Sequence, residues 1–352
     1  MSPDPVSPRG VDLAALTRWL DEQHPGLRRG PLAAELIAGG RSNLTYTLDD
    51  GTHRWVLRRP PLGHVLATAH DMRREFRVIS ALHAARDTAH VPVPEPVLLC
   101  DDEAVIGAPF YVMRRVDGLV LRERADLLAV PEGERPRLAE RLVDTLASLH
   151  VVDPQTAGLG DFGRPDGFLE RQVRRWSTQL AASRSRDVEG IDVLQRSLAA
   201  ALPTSPRAAV VHGDFRLDNL LVTPQRWDVA AVLDWEMATL GDPLTDLGLL
   251  LVYWGEGGEV PSSLGPVADT PASVPGFPGP ARLAARYAEA TGTDVTDLPW
   301  YVAFGFFKLA VILEGIHFRY TQGQTVGSGF DRIGAVVPGL VAAGNRALQG
   351  AV

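Results

Sequence analysis

Residues 208–246 constrain the fold more than any other stretch, because two short apolar runs in it each end on polar residues. The runs at 208–211 and 229–233 are rich in valine and alanine, which predicts buried strands. Four polar residues follow them at fixed spacing: His212, Asp214, Asn219 and Asp234. Asp and Asn also form ordinary turns, but an ordered set that closes two apolar strands favours a chemical role.

The spacing of these residues matches what phosphoryl transfer requires. That reaction needs a carboxylate at the acceptor hydroxyl, together with an amide and a second carboxylate that hold Mg²⁺ on the nucleotide phosphates. Asp214 and Asn219 lie at opposite ends of a tight loop, and Asp234 is expected to arrive from a neighbouring strand. The pattern therefore predicts Asp214 as the catalytic carboxylate, with Asn219 and Asp234 as metal ligands.

Three motifs in this stretch carry a resemblance to a known family. HGDFRLDN (212–219), LDWE (233–236) and GDPLTD (241–246) resemble the aminoglycoside-phosphotransferase-like small-molecule kinases, which are relatives of the eukaryotic protein kinases. The resemblance is closest to the branch found as a kinase-like domain beside acyl-CoA dehydrogenases. It covers roughly residues 30–345.

The resemblance implies an α+β, bilobal, protein-kinase-like fold that binds ATP and Mg²⁺. A tail and helix at 1–29 would precede a nucleotide-binding N-lobe at 30–116, built from an antiparallel sheet of about five strands and a helix. A larger, mainly helical C-lobe at 117–352 would carry the catalytic loop, the metal site and the acceptor pocket.

A glycine-containing loop lies between the first two predicted strands. Glycine lets the backbone approach phosphates closely, and the N–H groups and serine that follow can donate hydrogen bonds to them. A plain hairpin turn is the alternative, but the position upstream of HGD favours phosphate binding. The candidate residues are Gly39, Gly40, Ser42 and Asn43. The loop lacks the G-x-G-x-x-G pattern of protein kinases.

Arg58 ends the segment WVLR, where related kinases carry a V-A-I-K strand. The resemblance makes Arg58 the cation on the α- and β-phosphates, with a guanidinium in place of the usual ammonium. Alternation along the strand points its neighbour Arg59 to the opposite face. Glu75, on the following helix, is similar to the glutamate that pairs with the strand cation. A solvated ion pair with Arg73 or Arg74 is the alternative for it.

Three further residues are assigned by position. The chain leaves the N-lobe sheet at Met113 and Arg115, where the main chain of a kinase hinge would bind adenine. Arg216, two residues after Asp214, matches a protein-kinase lysine and would neutralise charge on the transferring phosphoryl group. The predicted catalytic pair is therefore Asp214 and Arg216.

Composition argues against several classes of protein. A net charge of −8 disfavours a general nucleic-acid binder, which would show a basic face. The single cysteine, Cys100, permits no internal disulfide, and the first ten residues lack an apolar signal-peptide core, so a cytoplasmic protein is expected. The most apolar segments, 246–254 and 301–316, are short or carry Lys308 and Glu314, which predicts core helices rather than membrane insertion. The oligomeric state stays open.

The resulting prediction is an ATP- and Mg²⁺-dependent phosphotransferase that acts on a hydroxyl of a small molecule. A hydroxyacyl-CoA is the acceptor suggested by the acyl-CoA dehydrogenase branch. An arginine-rich segment at 168–186 would attract such an anion, although a solvated helix face explains it more simply.

Two alternatives remain. An antibiotic O-phosphotransferase, acting on an aminoglycoside or macrolide, is the enzymatic one. A catalytically silent nucleotide-binding or scaffold protein is the other, because Arg58 and the altered glycine loop depart from the family pattern. A protein kinase is disfavoured, since Asp234 stands in LDWE where a protein kinase carries D-F-G after its catalytic loop, and the chain lacks A-P-E.

Overall fold

The structure is a computed structural model that describes residues 7–37, 43–62, 70–255, 270–324 and 330–350. The chain divides into two compact units, described here one at a time. The first comprises Met1–Asp87, Pro92–Asp117 and Ala231–Glu236, and the second comprises Thr88–Val91, Gly118–Ala230 and Met237–Val352. The predicted boundary between the lobes lies after residue 116, close to the end of the second segment of the first unit. The prediction does not include the third segment, Ala231–Glu236, in which the chain returns to the first unit. That return carries Asp234.

A five-stranded antiparallel sheet forms the body of the first unit, in the order β1-β2-β3-β5-β4. Its strands are β1 (Ala33–Leu36), β2 (Leu44–Asp49), β3 (Arg54–Arg59), β4 (Pro96–Cys100) and β5 (Phe110–Arg114). The turn between β2 and β3 is held by Asp50, which accepts hydrogen bonds from the N–H groups of Thr52 and His53. The predicted antiparallel N-terminal sheet is confirmed.

The helices of the first unit cover both faces of this sheet. They are α1 (Leu13–Gln23), α2 (Met72–Ala84), α3 (Arg86–Ala89), which runs into the second unit, and α4 (Glu103–Ile106). Asp12 caps α1 by accepting a hydrogen bond from the N–H of Ala15 at 2.9 Å, and α1 packs its leucines with Trp55 and Leu57 of β3. The opposite face of the sheet meets α2. Because side chains alternate along a strand, Arg58 lies on the α2 face.

The second unit is mainly helical. Its helices are α5 (Arg124–Ala129), α6 (Arg135–Val151), α7 (Phe168–Ser183), α8 (Ile191–Ala200), α9 (Leu244–Trp254), α10 (Pro280–Thr291), α11 (Leu298–Thr321) and α12 (Ile333–Leu348). The central helix is α11, which packs against α7, α8, α9 and α12. It is long and apolar enough to cross a membrane, but 78% of its apolar window is buried inside the protein. It is a core helix, as the sequence predicts.

Four short strands frame the polar loops that follow them. They are β6 (Ala209–Val211), β7 (Leu220–Val222), β8 (Val229–Val232) and β9 (Thr239–Gly241). β6 pairs with β9 and β7 pairs with β8, so the strand before Asp234 is the neighbour of the strand that follows Asn219. The reason is local: a tight turn, in which the N–H of Thr223 donates to the carbonyl of Asp228 at 2.9 Å, leads the chain from β7 directly into β8.

Candidate active site

Arg58 lies at the centre of a charged cluster in the first unit. Its Nε is 2.9 Å from Oε2 of Glu75, and its guanidinium also bonds to the carboxylate of Asp234. Arg73 instead pairs with Asp101, at 2.6 Å. The structure therefore joins Arg58 to Glu75, the pairing that the resemblance implies, and adds Asp234 as a second carboxylate on the same cation.

Glu75 is buried and surrounded by hydrogen-bond donors. The hydroxyl of Tyr111 donates to its Oε2 at 3.1 Å, and Nδ2 of Asn43 donates to its Oε1 at 3.1 Å. Burial raises the pKa of Glu75 to about 7, and the Arg58 guanidinium opposes that rise. The charge of Glu75 therefore changes near neutral pH.

The predicted phosphate loop is described only at its last residue. Gly39, Gly40 and Ser42 lie outside the described residues. Asn43 is buried, and its Nδ2 bridges Glu75 and Oε2 of Glu236, the latter at 3.2 Å. Asn43 thus fastens the end of this loop to the charged cluster.

Asp234 follows β8 in a conformation that few residues adopt. Its φ is +66°, in the left-handed region that is unfavourable for a residue with a Cβ. The next residue, Trp235, is buried and donates from Nε1 to the carbonyl of Val232 at 3.0 Å, which holds the turn in place. Backbone strain of this kind persists where the surroundings enforce it, and it concentrates at functional sites.

The second unit fixes the backbone of the loop after β6. Asp246, in the first turn of α9, accepts hydrogen bonds from the N–H groups of His212 (2.6 Å) and Gly213 (2.8 Å). His150 links Asp246 to the hydroxyl of Tyr287. Burial would raise the pKa of Asp246, but the His150 hydrogen bond and the backbone donors outweigh it and lower that pKa. An ionised, buried carboxylate therefore anchors the loop.

Asp214 is held by contacts on both sides of it in the chain. Gly213 has φ +84°, and a Cβ there would lie 2.7 Å from the carbonyl oxygen of Met237, so only glycine fits. The N–H of Asp214 donates to Nδ1 of His212 at 3.2 Å. Nδ2 of Asn219 donates to the backbone carbonyl of Asp214 (2.8 Å) and to its Oδ2 (3.0 Å). The loop therefore presents the Asp214 carboxylate in a defined direction.

Arg216 lies beside this carboxylate. Its Nε is 3.4 Å from Oδ2 of Asp214 and 3.0 Å from Oδ1 of Asp218, and its guanidinium lies 4.8 Å from the centre of the Tyr253 ring. Burial raises the pKa of Asp218, although the Arg216 charge opposes this. The positive charge that the sequence predicts at Arg216 is thus next to Asp214, and Asp218 and Tyr253 hold it there.

A small pocket in the second unit opens next to Arg216. Its free volume is about 40 Å³, and its walls come from four separate parts of the chain. The lining residues are Leu121, Arg122, Leu127, Arg216, Leu217, Asp218, Leu250, Tyr253, Trp254 and Pro271. Among these described residues, most are apolar, two are arginines, and the one carboxylate, Asp218, is paired with Arg216.

The two predicted hinge residues lie at the end of the first unit's sheet. Met113 is buried in β5, where it lies opposite Val56 of β3 and Pro96 of β4. The N–H of Arg115 donates to the carbonyl of Arg54 at 3.2 Å. That N–H group is therefore used in the protein, and adenine binding at this edge stays a prediction.

The predicted ligands of Mg²⁺ are Asn219 and Asp234. Within the parts of the chain that the structure describes, there is no cluster of three or more His, Cys, Asp or Glu side chains that could hold a metal ion. Mg²⁺ at a nucleotide site takes one or two protein oxygens and fills its shell with phosphates and water. An aspartate and an asparagine, as predicted at Asp234 and Asn219, fit that requirement.

The arginine-rich segment at α7 is mostly engaged in the protein's own structure. Arg171 donates to backbone carbonyls, Arg174 lies 3.6 Å from Glu170, and Arg184 and Arg186 pair with Asp192 and Glu314. Arg175 is exposed and lies 5.5 Å from the centre of the Trp176 ring. Four of the five arginines therefore serve the protein's own structure, but Arg184 and Arg186 follow α7, which ends at Ser183, so the expected helix face holds for the first three.

Sequence reasoning interprets Asp246 as a loop anchor, which the structure confirms, but it missed the contacts of Tyr253 and Lys308 and the lining of the pocket. The supporting contacts come from residues far along the chain, namely Asp246, Tyr253 and Lys308. Lys308 and Asp246 both lie in apolar helices, where a charged residue is the available signal that a buried polar partner exists.

The chain is similar to known proteins over most of its length. The model of the phosphotransferase enzyme family (APH) matches residues 33–301. The chain is also similar to acyl-CoA dehydrogenase family member 11 of Rattus norvegicus, with 36% identity over 324 residues. This match covers 89% of the chain but only 40% of the relative, so the chain spans about two fifths of that protein's length.

Solved structures show the same fold. A Ralstonia eutropha protein, provisionally described as an aminoglycoside phosphotransferase, has a TM-score of 0.82 and 32% identity, covering 96% of this chain and 98% of that one. The aminoglycoside phosphotransferase APH(4)-Ia, in a complex with AMP-PNP and hygromycin B, has a TM-score of 0.60 and 18% identity, covering 95% and 98%. The predicted α+β, protein-kinase-like fold is confirmed.

Proposed function

We propose that this chain, which belongs to the phosphotransferase enzyme family, transfers the γ-phosphate of ATP to a hydroxyl group of a small molecule. The observation that carries the proposal is the anchoring of Asp214. Its backbone is fixed by Asn219 and by the hydrogen bonds of His212 and Gly213, while Arg216 lies 3.4 Å from its carboxylate. A carboxylate with a fixed position suits phosphoryl transfer, because positioning and charge stabilisation supply most of the rate acceleration in that reaction.

The residues of the second unit act on the acceptor in this proposal. Asp214 accepts a hydrogen bond from the acceptor hydroxyl and orients its oxygen. It takes the hydroxyl proton as the oxygen bonds to the γ-phosphorus and the bond from that phosphorus to ADP breaks, so that ADP leaves. Arg216 offsets negative charge as it develops on the transferring group.

The nucleotide-binding roles follow the same family assignment. Asn219 and Asp234 would hold Mg²⁺, and Arg58 with Gly39, Gly40, Ser42 and Asn43 would bind the phosphates. Met113 and Arg115 would mark the adenine edge, and Glu75 would orient Arg58. Bound Mg²⁺ supplies neutralisation of phosphate charge. The family neighbour APH(4)-Ia binds AMP-PNP, which supports ATP as the donor.

The acceptor that fits best is an amphipathic anion, and we propose a hydroxyacyl-CoA. The pocket beside Arg216 offers leucines, Trp254 and Pro271 to an acyl chain, and Arg122 and Arg216 to a negative charge. A polycationic aminoglycoside needs unpaired carboxylates, whereas Asp218 is the one carboxylate among the described residues that line this pocket, and Arg216 pairs with it. Similarity to acyl-CoA dehydrogenase family member 11 supports the same acceptor class.

An acceptor panel tests this proposal. ATP consumption and product mass would be followed with Mg²⁺ and either 3- or 4-hydroxyacyl-CoAs, aminoglycosides or macrolides. The proposal expects a phosphorylated hydroxyacyl-CoA and no phosphorylated antibiotic. Preferential turnover of an aminoglycoside or macrolide would establish the antibiotic alternative. Tight Mg·ATP binding without transfer to any acceptor would support the catalytically silent alternative.

A further inference from the structure

Lys308 is the single lysine of this 352-residue chain, and the other residues among its 35 lysines and arginines are all arginine. It lies in the middle of α11 and is 8% exposed. A buried ammonium group needs hydrogen-bond partners, because removing its charge from water without such partners strongly destabilises the folded protein. What Lys308 touches therefore indicates why a lysine stands here.

The ammonium group of Lys308 contacts the loop that carries Asp214. Its Nζ donates to the carbonyl oxygen of Gly213 at 2.6 Å and lies 5.6 Å from the centre of the Trp176 ring. That carbonyl belongs to the peptide between Gly213 and Asp214. The N–H of the same peptide donates to Nδ1 of His212 at 3.2 Å. Lys308 and His212 thus hold the two ends of one peptide group.

This peptide group is the place where the loop needs holding. Gly213 has φ +84°, and glycine has access to more backbone conformations than any other residue. Rotation of the peptide after Gly213 would redirect the side chain of Asp214. Asp246 fixes the N–H of Gly213 on the preceding peptide, but it makes no bond to the Gly213 carbonyl. The donor on that carbonyl is Lys308.

We infer that Lys308 is a positioning residue, which fixes the peptide between Gly213 and Asp214 and so aims the Asp214 carboxylate at the acceptor. This inference rests on the proposed function, since it assigns Lys308 a part in the same transfer step. Its contact with the reaction is indirect, through the backbone of the loop.

The choice of lysine over arginine fits the space around the group. A compact ammonium with three donors can bond to one carbonyl while it faces an aromatic ring. A planar guanidinium carries five N–H donors, which a site formed by Gly213 and Trp176 does not satisfy. Burial lowers the pKa of Lys308, while the charges of Asp214 and Asp246 oppose this.

The first test compares three substitutions on α11. Lys308→Met keeps the length of the side chain but removes the donor, and we expect kcat to fall about 100-fold with the KM for ATP unchanged. Lys308→Arg restores a donor and the charge, so its kcat should be about tenfold higher than that of Lys308→Met. Arg319→Met, an exposed cation of the same helix, is the control and should leave both constants unchanged. An unchanged kcat in Lys308→Met would overturn the inference. A fall in kcat accompanied by a rise of similar size in the KM for ATP would overturn it as well.

The second test needs no activity and no substitution of Lys308. Because the chain has one lysine, ¹⁵N-lysine labelling gives a single side-chain Nζ signal in the NMR spectrum. We expect ammonium protons that exchange slowly with water, and a signal that moves in Asp214→Asn but stays in Arg319→Met. Rapid exchange typical of an exposed lysine would overturn the inference, even if Lys308→Met fails to fold. If the unsubstituted protein transfers phosphate to no acceptor, the proposed function fails, and the NMR result still decides whether Lys308 holds the loop.

Discussion

The two units of this protein hold their candidate site residues in different ways. In the first unit, Arg58, Glu75 and Asp234 meet through their charged side chains, and Asn43 bridges Glu75 and Glu236. In the second unit, buried side chains hold the backbone of the loop around Asp214. A charge cluster can rearrange when a ligand brings its own charges, whereas a loop bonded through its main chain keeps one geometry. We therefore expect the geometry of the proposed nucleotide site to adjust to its ligand and the geometry around Asp214 to stay fixed.

The largest effect should come from the carboxylate that the second unit positions. Asp214→Asn keeps the shape and hydrogen bonding of the loop but removes the proton acceptor, so kcat should fall about 10²- to 10⁴-fold. The affinity for Mg·ATP, measured by calorimetry, should stay within about twofold because the nucleotide ligands of the proposal are unchanged. Asp166→Asn, an exposed aspartate of the same unit, is the control. Equal loss of transfer and of nucleotide binding would disprove the assignment of Asp214.

The metal ligand in the first unit should show its effect in binding rather than in folding. Asp234→Ala removes the proposed Mg²⁺ ligand but keeps a Cβ at the same positive φ, so its cost to folding should be small, about 1 kcal/mol. We expect the Mg²⁺-dependent rise in Tm with ATP to disappear, because that rise reports binding to the native state. Asp101→Ala, which removes a carboxylate from the surface of the same unit, should keep it. Survival of the metal dependence in Asp234→Ala would place the Mg²⁺ site elsewhere.

Substitution of two glycines distinguishes the cost of backbone strain from the effect of loop geometry on kcat. Gly213→Ala adds a Cβ 2.7 Å from the Met237 carbonyl at φ +84°, whereas Gly292 has φ +66° with open space around it. Gly292→Ala should lower the free energy of unfolding by about 1 kcal/mol and leave kcat unchanged. Gly213→Ala should lower it by about 3 kcal/mol and reduce kcat about 100-fold. Denaturant unfolding and initial rates measure both; similar losses in the two variants would mean that the loop has no special geometry.

The last effect concerns stability rather than catalysis, and it depends on pH and on the first unit alone. Because burial raises the pKa of Glu75 from 4.5 to about 7, the folded state binds a proton that the unfolded state releases between these values. Stability from this group is thus fully present below about pH 4.5 and is lost as pH rises through about 7, by about 3 kcal/mol in total.

Comparison with Glu75→Gln isolates this pH dependence. The free energy of unfolding of the unsubstituted protein should fall relative to that of Glu75→Gln across this range, in denaturant titrations at a series of pH values. Glu35→Gln, an exposed glutamate on the same sheet, should follow the unsubstituted protein. Parallel profiles for Glu75→Gln and the unsubstituted protein would show that Glu75 keeps one charge state.

Local patterns in the sequence predict the elements of both units, because alternation and helical spacing depend on neighbours along the chain. The strands around Arg58 and the core helix at α11 are found where the patterns place them. The pairing of β6 with β9 could not be predicted, since β9 has only three residues and no alternation.

The predicted site residues divide in a similar way. Arg58 and Glu75 meet as their family positions imply. Lys308 supports the loop from nearly a hundred residues away, and its partner is a glycine carbonyl, which carries no signal in a sequence. Residues of this kind become visible only when tertiary packing brings a buried charge to an unsatisfied backbone group.

The most direct test of the account is transfer of a labelled γ-phosphate from ATP to a hydroxyacyl-CoA by the unsubstituted protein. The account predicts a product in which the acceptor has gained one phosphate on its hydroxyl oxygen, formed with Mg²⁺ and not formed by Asp214→Asn. Label released only as inorganic phosphate, or product formed at the same rate by Asp214→Asn, would contradict it.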